Sequence, residues 1–596
     1  MYRKNILLAI AIFLLVFNCI GFPSPGIALE NELVNLEQGW SKNTQQKFYF
    51  ADQGSQLMPY DWFLALEQSS EQKLFRSDGN IQKLRYLTAE PSKLNPDGLP
   101  VGFAKGRDRK GQEWLGFNCA LCHTGQISYG GNQIRLDGGA TIGDVQGLQY
   151  GLVEALEATN DNPEKFRRFA DKVLGTQASS EQIQELHQQL GDRITKLADY
   201  NKINYDYPHQ PNYGFGRVDA IGSIFNQVMV TFNDLPVDKA FPSDAPVSYP
   251  FIWGTNESDV VQWAGFAPNG PVSLGTLIRN AGEVLGTFGT IEIDSPKPLR
   301  KLERNVLPFP PYESSINTVN LGKIENWVAQ LRSPQWPEEY LPAIDRSLAQ
   351  KGKAIYNNNC ASCHQLVPHS REGLPYKAVL TPISEVATDS TQLDNLVLTR
   401  DAGKYKGRFG LIPQLAKIPA ESNGTNPLFN AVLGSLIEHP INTLAAANIE
   451  FAGTLVESVK TASKLPGSPA KYFSVLGQAI QADSLDNAKK GAVGNVYKAR
   501  PLNGIWATAP YLHNGSVPNL YELLLASEKR SPKFYVGNRE FDPQQVGYVS
   551  DESTSEDLAL FEFDTTLKGN SNQGHNYGTD LAEPEKWQLV EFLKTL

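Results

Sequence analysis

Two pentapeptides share one pattern: Cys119-Ala120-Leu121-Cys122-His123 and Cys360-Ala361-Ser362-Cys363-His364. On a helical turn, residues i, i+3 and i+4 fall on one side. Two thiols at i and i+3 can then reach the two vinyl groups of one porphyrin, and the imidazole at i+4 points at the iron from the proximal face. C-x-x-C-H is the attachment sequence of c-type haem. The chain has only 5 Cys and 8 His in 596 residues, so two copies are not chance. A thioredoxin-like redox pair uses one C-x-x-C and needs no following His. A zinc ribbon sets its pairs roughly 15–20 residues apart, far closer than Cys119 and Cys360. A disulfide within each pair leaves both histidines unexplained. The motifs predict two covalently bound haem c groups, attached at Cys119, Cys122, Cys360 and Cys363, with His123 and His364 as iron ligands.

The far side of each iron is the next question. Electron-carrying c haems often close it with methionine. The methionines are Met1, Met58 and Met229, so none follows the second motif. The second iron must be closed by His, Tyr, Lys, water or nothing. His187 lies on a polar stretch and reads as solvated, and His209 belongs to a loop of the first half. His369 is too near His364 to cross to the opposite face, and His439 reads as a helix end. His513, in ATAPYLHNGSVPNL, and His575, in SNQGHNYGTDL, remain. His575 stands on a Gly- and Asn-rich loop that can bend over a haem. Spacing alone leaves the two equal.

These residues need elements to position them. DRSLAQKGKAIYNNNCASCH reads as a helix feeding the second motif, with Leu348, Ile355 and Tyr356 on one face beside Gly352. Gly352 lets another helix approach, and the expected partner is the last one, EPEKWQLVEFLKTL. Pro584 suits its first turn, and Trp587, Val590 and Leu593 form a stripe widened by Leu589 and Phe592. The first half has a comparable closing helix in SSINTVNLGKIENWVAQLRSP, stopped by Pro334 and Pro337. Its extra material includes the polar helix SSEQIQELHQQLGDRITKLADYNKI and YGGNQIRLDGGATIG, which reads as a hairpin with a tight turn at Asp137-Gly138. The expected fold is mainly α with long loops: two cytochrome c-like haem domains, the first enlarged by insertions. The expected domains are residues 29–338 and 339–596, preceded by a signal peptide over 1–28.

Arg3 and Lys4, the apolar run Ile6 to Phe17 and the small residues Gly26-Ile27-Ala28 carry that signal reading. Cleavage after Ala28 removes Cys19 and exports the chain to a periplasm, an equivalent lumen or the exterior. Membrane contact is expected only if the run is kept as an anchor. The run is short of the roughly 20 residues of a spanning helix. The net charge of −10, with no basic block, argues against a nucleic-acid partner. Gly 50 and Pro 38 indicate a loop-rich chain.

ARPLNGIWATAPYLHNGSVPNLYELL resembles the signature segment of the bacterial dihaem cytochrome c peroxidase and MauG superfamily, closest to its rubber oxygenase A-like branch. CALCHTGQISYGGNQIRLDGG, RNAGEVLGTFG and GHNYGTDLAEPEKWQLVEFLKTL are similar to that branch too. The resemblance implies a reactive N-terminal haem with His123 proximal and an open face for O2. It implies a C-terminal haem held by His364 and His575 that relays electrons, with His513 in support. Oxidative cleavage of an apolar substrate follows from the oxygenase branch. Reduction of H2O2 with electrons from a small redox protein follows from the peroxidases, which set an acid and an amide beside the open iron. A carrier with both irons closed is the non-enzymatic alternative. Glu283 and Glu292 are the nearby acids. Trp263, Phe266 and Phe288 are candidates for an aromatic pocket, against ordinary core packing. Some members of the superfamily hold calcium between the domains; the sequence neither assigns nor denies it here.

Overall fold

The computed structural model describes residues 33–206, 211–269, 274–294, 311–410, 417–438, 442–443, 495–551 and 559–596. The signal segment with Cys19, His209 and His439 lie outside them.

The first motif hangs between two small sheets. After β1 (Leu33–Asn35) and α1 (Lys42–Phe50), the strands β2 (Met58–Pro59), β3 (Phe103–Arg107) and β4 (Glu113–Phe117) form a sheet with β4 central. β4 runs directly into the single turn α2 (Cys119–Cys122). Asn118 caps that turn, its Oδ1 accepting from the Ala120 N–H at 2.9 Å, which satisfies a donor that the helix start leaves free. Its Nδ2 donates to the carbonyls of Phe48, Tyr49 and Ala51 and so ties the motif to the end of α1.

The hairpin β5 (Thr124–Tyr129) and β6 (Asn132–Asp137) follows, and β1 joins β6 in parallel. Its turn is Gly130-Gly131, with φ of 57° and 86°, the pair of positive φ values that a two-residue hairpin loop requires. The turn expected at Asp137-Gly138 is therefore displaced to the other end of β6. The Asp137 carboxylate instead accepts from Gln45 Nε2 at 2.7 Å and from Tyr49 OH at 2.5 Å.

Helices α3 (Val145–Asp161), α4 (Pro163–Leu174) and α5 (Ser180–Tyr205) cover the first sheet. α5 is the expected polar helix. It starts on a Ser179–Gln182 capping box and buries Leu186, Leu190 and Leu197. α6 (Ala220–Asn226), α7 (Leu274–Gly286) and α8 (Thr318–Val328) follow, and α8 closes this half by burying Leu321, Ile324 and Val328.

The second motif is fed by a helix. α9 (Arg346–Asn359) begins where Asp345 accepts from the Ser347 and Leu348 N–H groups, both at 2.9 Å, and ends at Cys360. β7 (Val379–Pro382), α10 (Thr425–Glu438) and β8 (Val496–Ala499) lead to the last helix, α11 (Glu583–Leu593). α11 crosses α9 at Gly352, where a Cβ would overlap the Gln588 carbonyl and come within 2.8 Å of Phe592 Cβ. β7 and β8 pair antiparallel, with Thr381 opposite Tyr497 and Leu380 opposite Lys498. One apolar core joins Ile127, Ile134 and Leu136 of the hairpin to Trp336, Trp506, Leu589 and Val590.

The mainly α expectation is corrected. Helix makes up 39% of the structure and strand 16%, so the chain is mixed, with its strands spread over small sheets of two or three. The strands escape a periodicity search because, among the described residues, none exceeds six residues, too few for alternation to stand out. The helix-then-motif pattern holds for Cys360 alone, since a strand delivers Cys119. Among the described residues no helix is long and apolar enough to cross a membrane.

Candidate functional site

A cavity of about 210 Å³ is lined by Cys360, Cys363 and His364 and also by His575. His364 Nδ1 lies 2.8 Å from the Arg500 carbonyl. A carbonyl only accepts, so Nδ1 carries the proton and Nε2 keeps its lone pair. The Tyr356 phenol donates to the His364 carbonyl at 2.7 Å, bracing the same residue from α9. The His575 ring stands opposite, its centroid 6.3 Å from that of His364. Two imidazoles on one metal, each bonded at roughly 2 Å, bring their centroids to roughly 6 Å, so this pair has the spacing to share an iron. His575 Nδ1 is buried without a hydrogen-bond partner. Burial, then the neighbouring His364 and Arg530, pushes His575 down to about 3. Burial also holds His364 below its ordinary value. Both rings are thus neutral, the form a metal requires.

The loop carrying His575 is held hard. His575 has φ of 50°, unfavourable for a residue with a Cβ. Its N–H donates to the Val386 carbonyl at 2.7 Å. The buried Arg530 guanidinium gathers the carbonyls of Asn572 at 2.5 Å, Gly574 at 2.8 Å and His575 at 3.3 Å. His513 lines the same cavity in a different way. Its Nε2 is 3.0 Å from the Tyr497 hydroxyl, and that hydroxyl lies 2.8 Å from the Asp389 carbonyl. The single phenol proton goes to the carbonyl, so His513 donates from Nε2 and that nitrogen is engaged. The imidazole stacks on Tyr497 at 4.2 Å.

A second cavity, also about 210 Å³, is lined by Cys119, Cys122 and His123. Tyr200 and Tyr205 of α5 close it together with Phe288, Trp263, Gln262 and Glu283. Among the described residues His123 is its one imidazole, and no methionine lines it. Met58 and Met229 are fully buried in separate apolar cores. Burial pushes His123 down to about 4, with the Pro250 carbonyl opposing, although its Nδ1 makes no hydrogen bond of full geometry. Burial also raises both thiols, Cys119 and Cys122, to about 12, and none of the four motif cysteines is in a disulfide. Thiols and neutral imidazoles in this arrangement suit thioether attachment and iron ligation.

Of the aromatic candidates, Trp263 and Phe288 reach this cavity, and Phe266 packs in another core. Phe288 sits 4.6 Å from Tyr200. Glu283 Oε1 accepts from Gln262 Nε2 at 2.7 Å, and burial raises the Glu283 carboxyl above its ordinary range. An acid and an amide therefore meet in the Cys119 cavity. Glu292 is exposed on a strand outside it.

The two cavities share a wall. Ser248, Tyr249, Pro250, Phe251, Trp263, Lys498 and Arg500 border both. Trp263 Nε1 donates to the Ser248 carbonyl at 3.0 Å, and the Lys498 N–H donates to the Trp263 carbonyl at 2.8 Å. Arg500 donates to the carbonyls of Phe251 at 2.8 Å and Trp253 at 2.6 Å, with its guanidinium 3.6 Å from the Phe251 ring centroid. The sequence reading passed over Gln262, Arg279, Lys498, Arg500 and Arg530. The signature segment begins at Ala499, so it takes in Arg500 and stops one residue short of Lys498. No cluster of three or more His, Cys, Asp or Glu side chains is poised to hold a metal ion among the described residues.

A family model described as RoxA-like, cytochrome c-like, matches residues 496–536, the stretch holding β8, Arg500, His513 and Arg530. That match implies haem c and accords with a haem-dependent oxidoreductase. It lies in the C-terminal part alone, which corrects the expectation of a cytochrome c-like domain in each half. The chain is 32% identical to the uncharacterized protein y4iJ of Sinorhizobium fredii, over 94% of this chain and 93% of that protein. It is 26% identical to the uncharacterized protein y4iM of the same organism, over 48% of this chain and 57% of that protein.

Proposed function

The chain belongs to the family of the y4iJ protein, and from that premise we propose that it is an exported c-type oxidoreductase carrying two haems. The observation that carries this reading is the unequal supply of imidazoles. The Cys360 cavity has His364 and His575 facing each other, whereas the Cys119 cavity has His123 alone among its described lining. A haem c in each cavity would supply an iron that exchanges electrons, with His364 and His575 placed to hold one and His123 to hold the other. Phe117, Ile221, Ile224, Val261 and Phe288 give the Cys119 cavity apolar lining, which suits an apolar substrate. The first activity proposed is therefore O2-dependent oxidative cleavage of such a substrate.

Glu283 favours a second reading, reduction of H2O2. Burial raises its carboxyl above the ordinary range, against the lowering effect of Gln262 and Arg279. Gln262 donates to Oε1, which leaves Oε2 as the oxygen that would carry and pass on a proton. Electrons would come from a small redox protein.

The test is an EPR and optical spectrum of the purified holoprotein. One high-spin and one low-spin haem are expected, and two low-spin signals overturn both enzymatic readings in favour of an electron carrier. His575→Ala should turn the low-spin haem high-spin; an unchanged signal removes His575 as ligand. Oxygen uptake with an unsaturated hydrocarbon selects the first activity. Peroxide turnover that Glu283→Gln abolishes selects the second.

A further inference from the structure

Lys498 occupies β8 in the wall common to both cavities. Its ammonium makes no hydrogen bond or ion pair with any described residue. Its charged surroundings are mostly of its own sign. Arg500 and Arg279 repel it, and Asp259 alone attracts it. Asp259 also accepts from the Ala378 N–H at 2.9 Å. Arg279 is matched by the buried Glu325 at 2.5 Å. Arg500 spends its terminal nitrogens on carbonyls, and its Nε is buried without a partner. Arg500 also has the Glu257 carboxylate nearby to offset its charge, so the cation of this wall left without a hydrogen bond or ion pair among the described residues is Lys498. An unpaired ammonium withdrawn from water is costly, so the site is built for an anion that enters from the cavities.

A haem brings two propionate carboxylates on the edge opposite its vinyl groups. With the thioethers fixing the vinyl edges at the two motifs, the remaining edges are free to meet the wall. We infer that Lys498 is a carboxylate-binding cation shared by the two cofactors, taking a propionate from each haem and so joining their reduction electrostatically. The inference rests on the two-haem reading. It adds a positioning residue that touches both groups without being a ligand of either iron.

The experiment compares wild-type holoprotein with Lys498→Gln and Lys498→Arg. Haem is counted by the pyridine haemochrome spectrum, and each midpoint is then read by spectroelectrochemical titration. Two haems are expected in every protein. Loss of the positive charge should lower both midpoints in Lys498→Gln, each by about tenfold in the reduction equilibrium, or 59 mV for a one-electron couple. Lys498→Arg should stay within twofold of wild type. A shift at one haem only, at neither, or equally in both variants overturns the inference. Fewer than two haems in wild type overturns the two-haem reading instead. If Lys498→Gln does not accumulate, the wild-type resonance Raman spectrum decides. Propionate bending bands of cation-bound carboxylate are expected from both haems, and those of freely solvated propionate at either one overturn the proposal.

Discussion

Gly352→Ala tests the helix crossing that supports the second motif. Helix propensity alone favours alanine by about 1 kcal/mol. Against that, the new methyl meets the Gln588 carbonyl and lies 2.8 Å from Phe592 Cβ. Carbon atoms pack best at roughly 3.5–4.0 Å, so α9 and α11 must part by roughly 1 Å. Backbone on the facing helix cannot swing aside as a side chain can. Overpacking of a tight core costs typically about 1–3 kcal/mol, and parting the helices also loosens Tyr356, which is fully buried and packs on Phe592 at 5.2 Å. The net loss is about 1–2 kcal/mol, which lowers Tm by roughly 2–8 °C for a cooperative unit of 150–250 residues. Thermal denaturation followed by tryptophan fluorescence reads it, because Trp336, Trp506 and Trp587 lie in or against this core. A variant as stable as wild type, or more so, would refute the close crossing and with it the argument that only glycine fits.

Glu325→Ala strands Arg279 in a buried site and should cost about 3–5 kcal/mol in urea denaturation; a loss below about 1 kcal/mol would show the pair to be solvated. His369 and Glu372 lie 2.7 Å apart, which raises the histidine and lowers the carboxyl. The histidine's contribution is full below its unfolded value, roughly 6.5, and is lost as pH rises through its raised folded value. The carboxyl's contribution is present above roughly 4.3 and is lost as pH falls through its depressed one. Stability measured from pH 6 to 8 should therefore decline in wild type and flatten in His369→Gln; an unchanged slope sinks the linkage. Tyr497→Phe removes the acceptor of the His513 Nε2–H and should cost about 1–3 kcal/mol while the second haem stays low-spin. Conversion to high-spin would instead assign the sixth ligand to His513.

What could be read in the chain without coordinates follows from how local each cause is. The C-x-x-C-H motifs are self-contained, and so is the Gly352 face of α9, because the helical repeat that reveals it spans fourteen residues. The sheets of the first half depend on partners far away. Asp137 looked like a turn residue beside Gly138, yet its carboxylate is held by Gln45 and Tyr49, about 90 positions earlier. Gly130-Gly131 was the competing turn, and nothing local chose between them. His513 and His575 stayed level by spacing because the difference lies in what each ring faces: Tyr497 for one, His364 for the other. Lys498 and Arg500 alternate with apolar residues on a short strand, a pattern that ordinarily marks a solvated face. Only the approach of Ser248–Phe251 turns that face into a partition.

Arg500 has a mechanical consequence. Its carbonyl holds the His364 imidazole, its guanidinium holds the Phe251 carbonyl, and the preceding carbonyl, that of Pro250, bears on His123. A single residue thus stands between the two motif histidines, bonded to one and a residue away from the carbonyl beside the other. Two hydrogen bonds make up this connection, His364 to the Arg500 carbonyl and the Arg500 guanidinium to the Phe251 carbonyl, and the last step, from Pro250 to His123, lacks full hydrogen-bond geometry. Substitutions at Lys498 and Arg500, which border both cavities, bear on the two cavities together. Independent adjustment of either one has to come from its outer walls: Arg530 and Val386 on one side, α5 and Phe288 on the other.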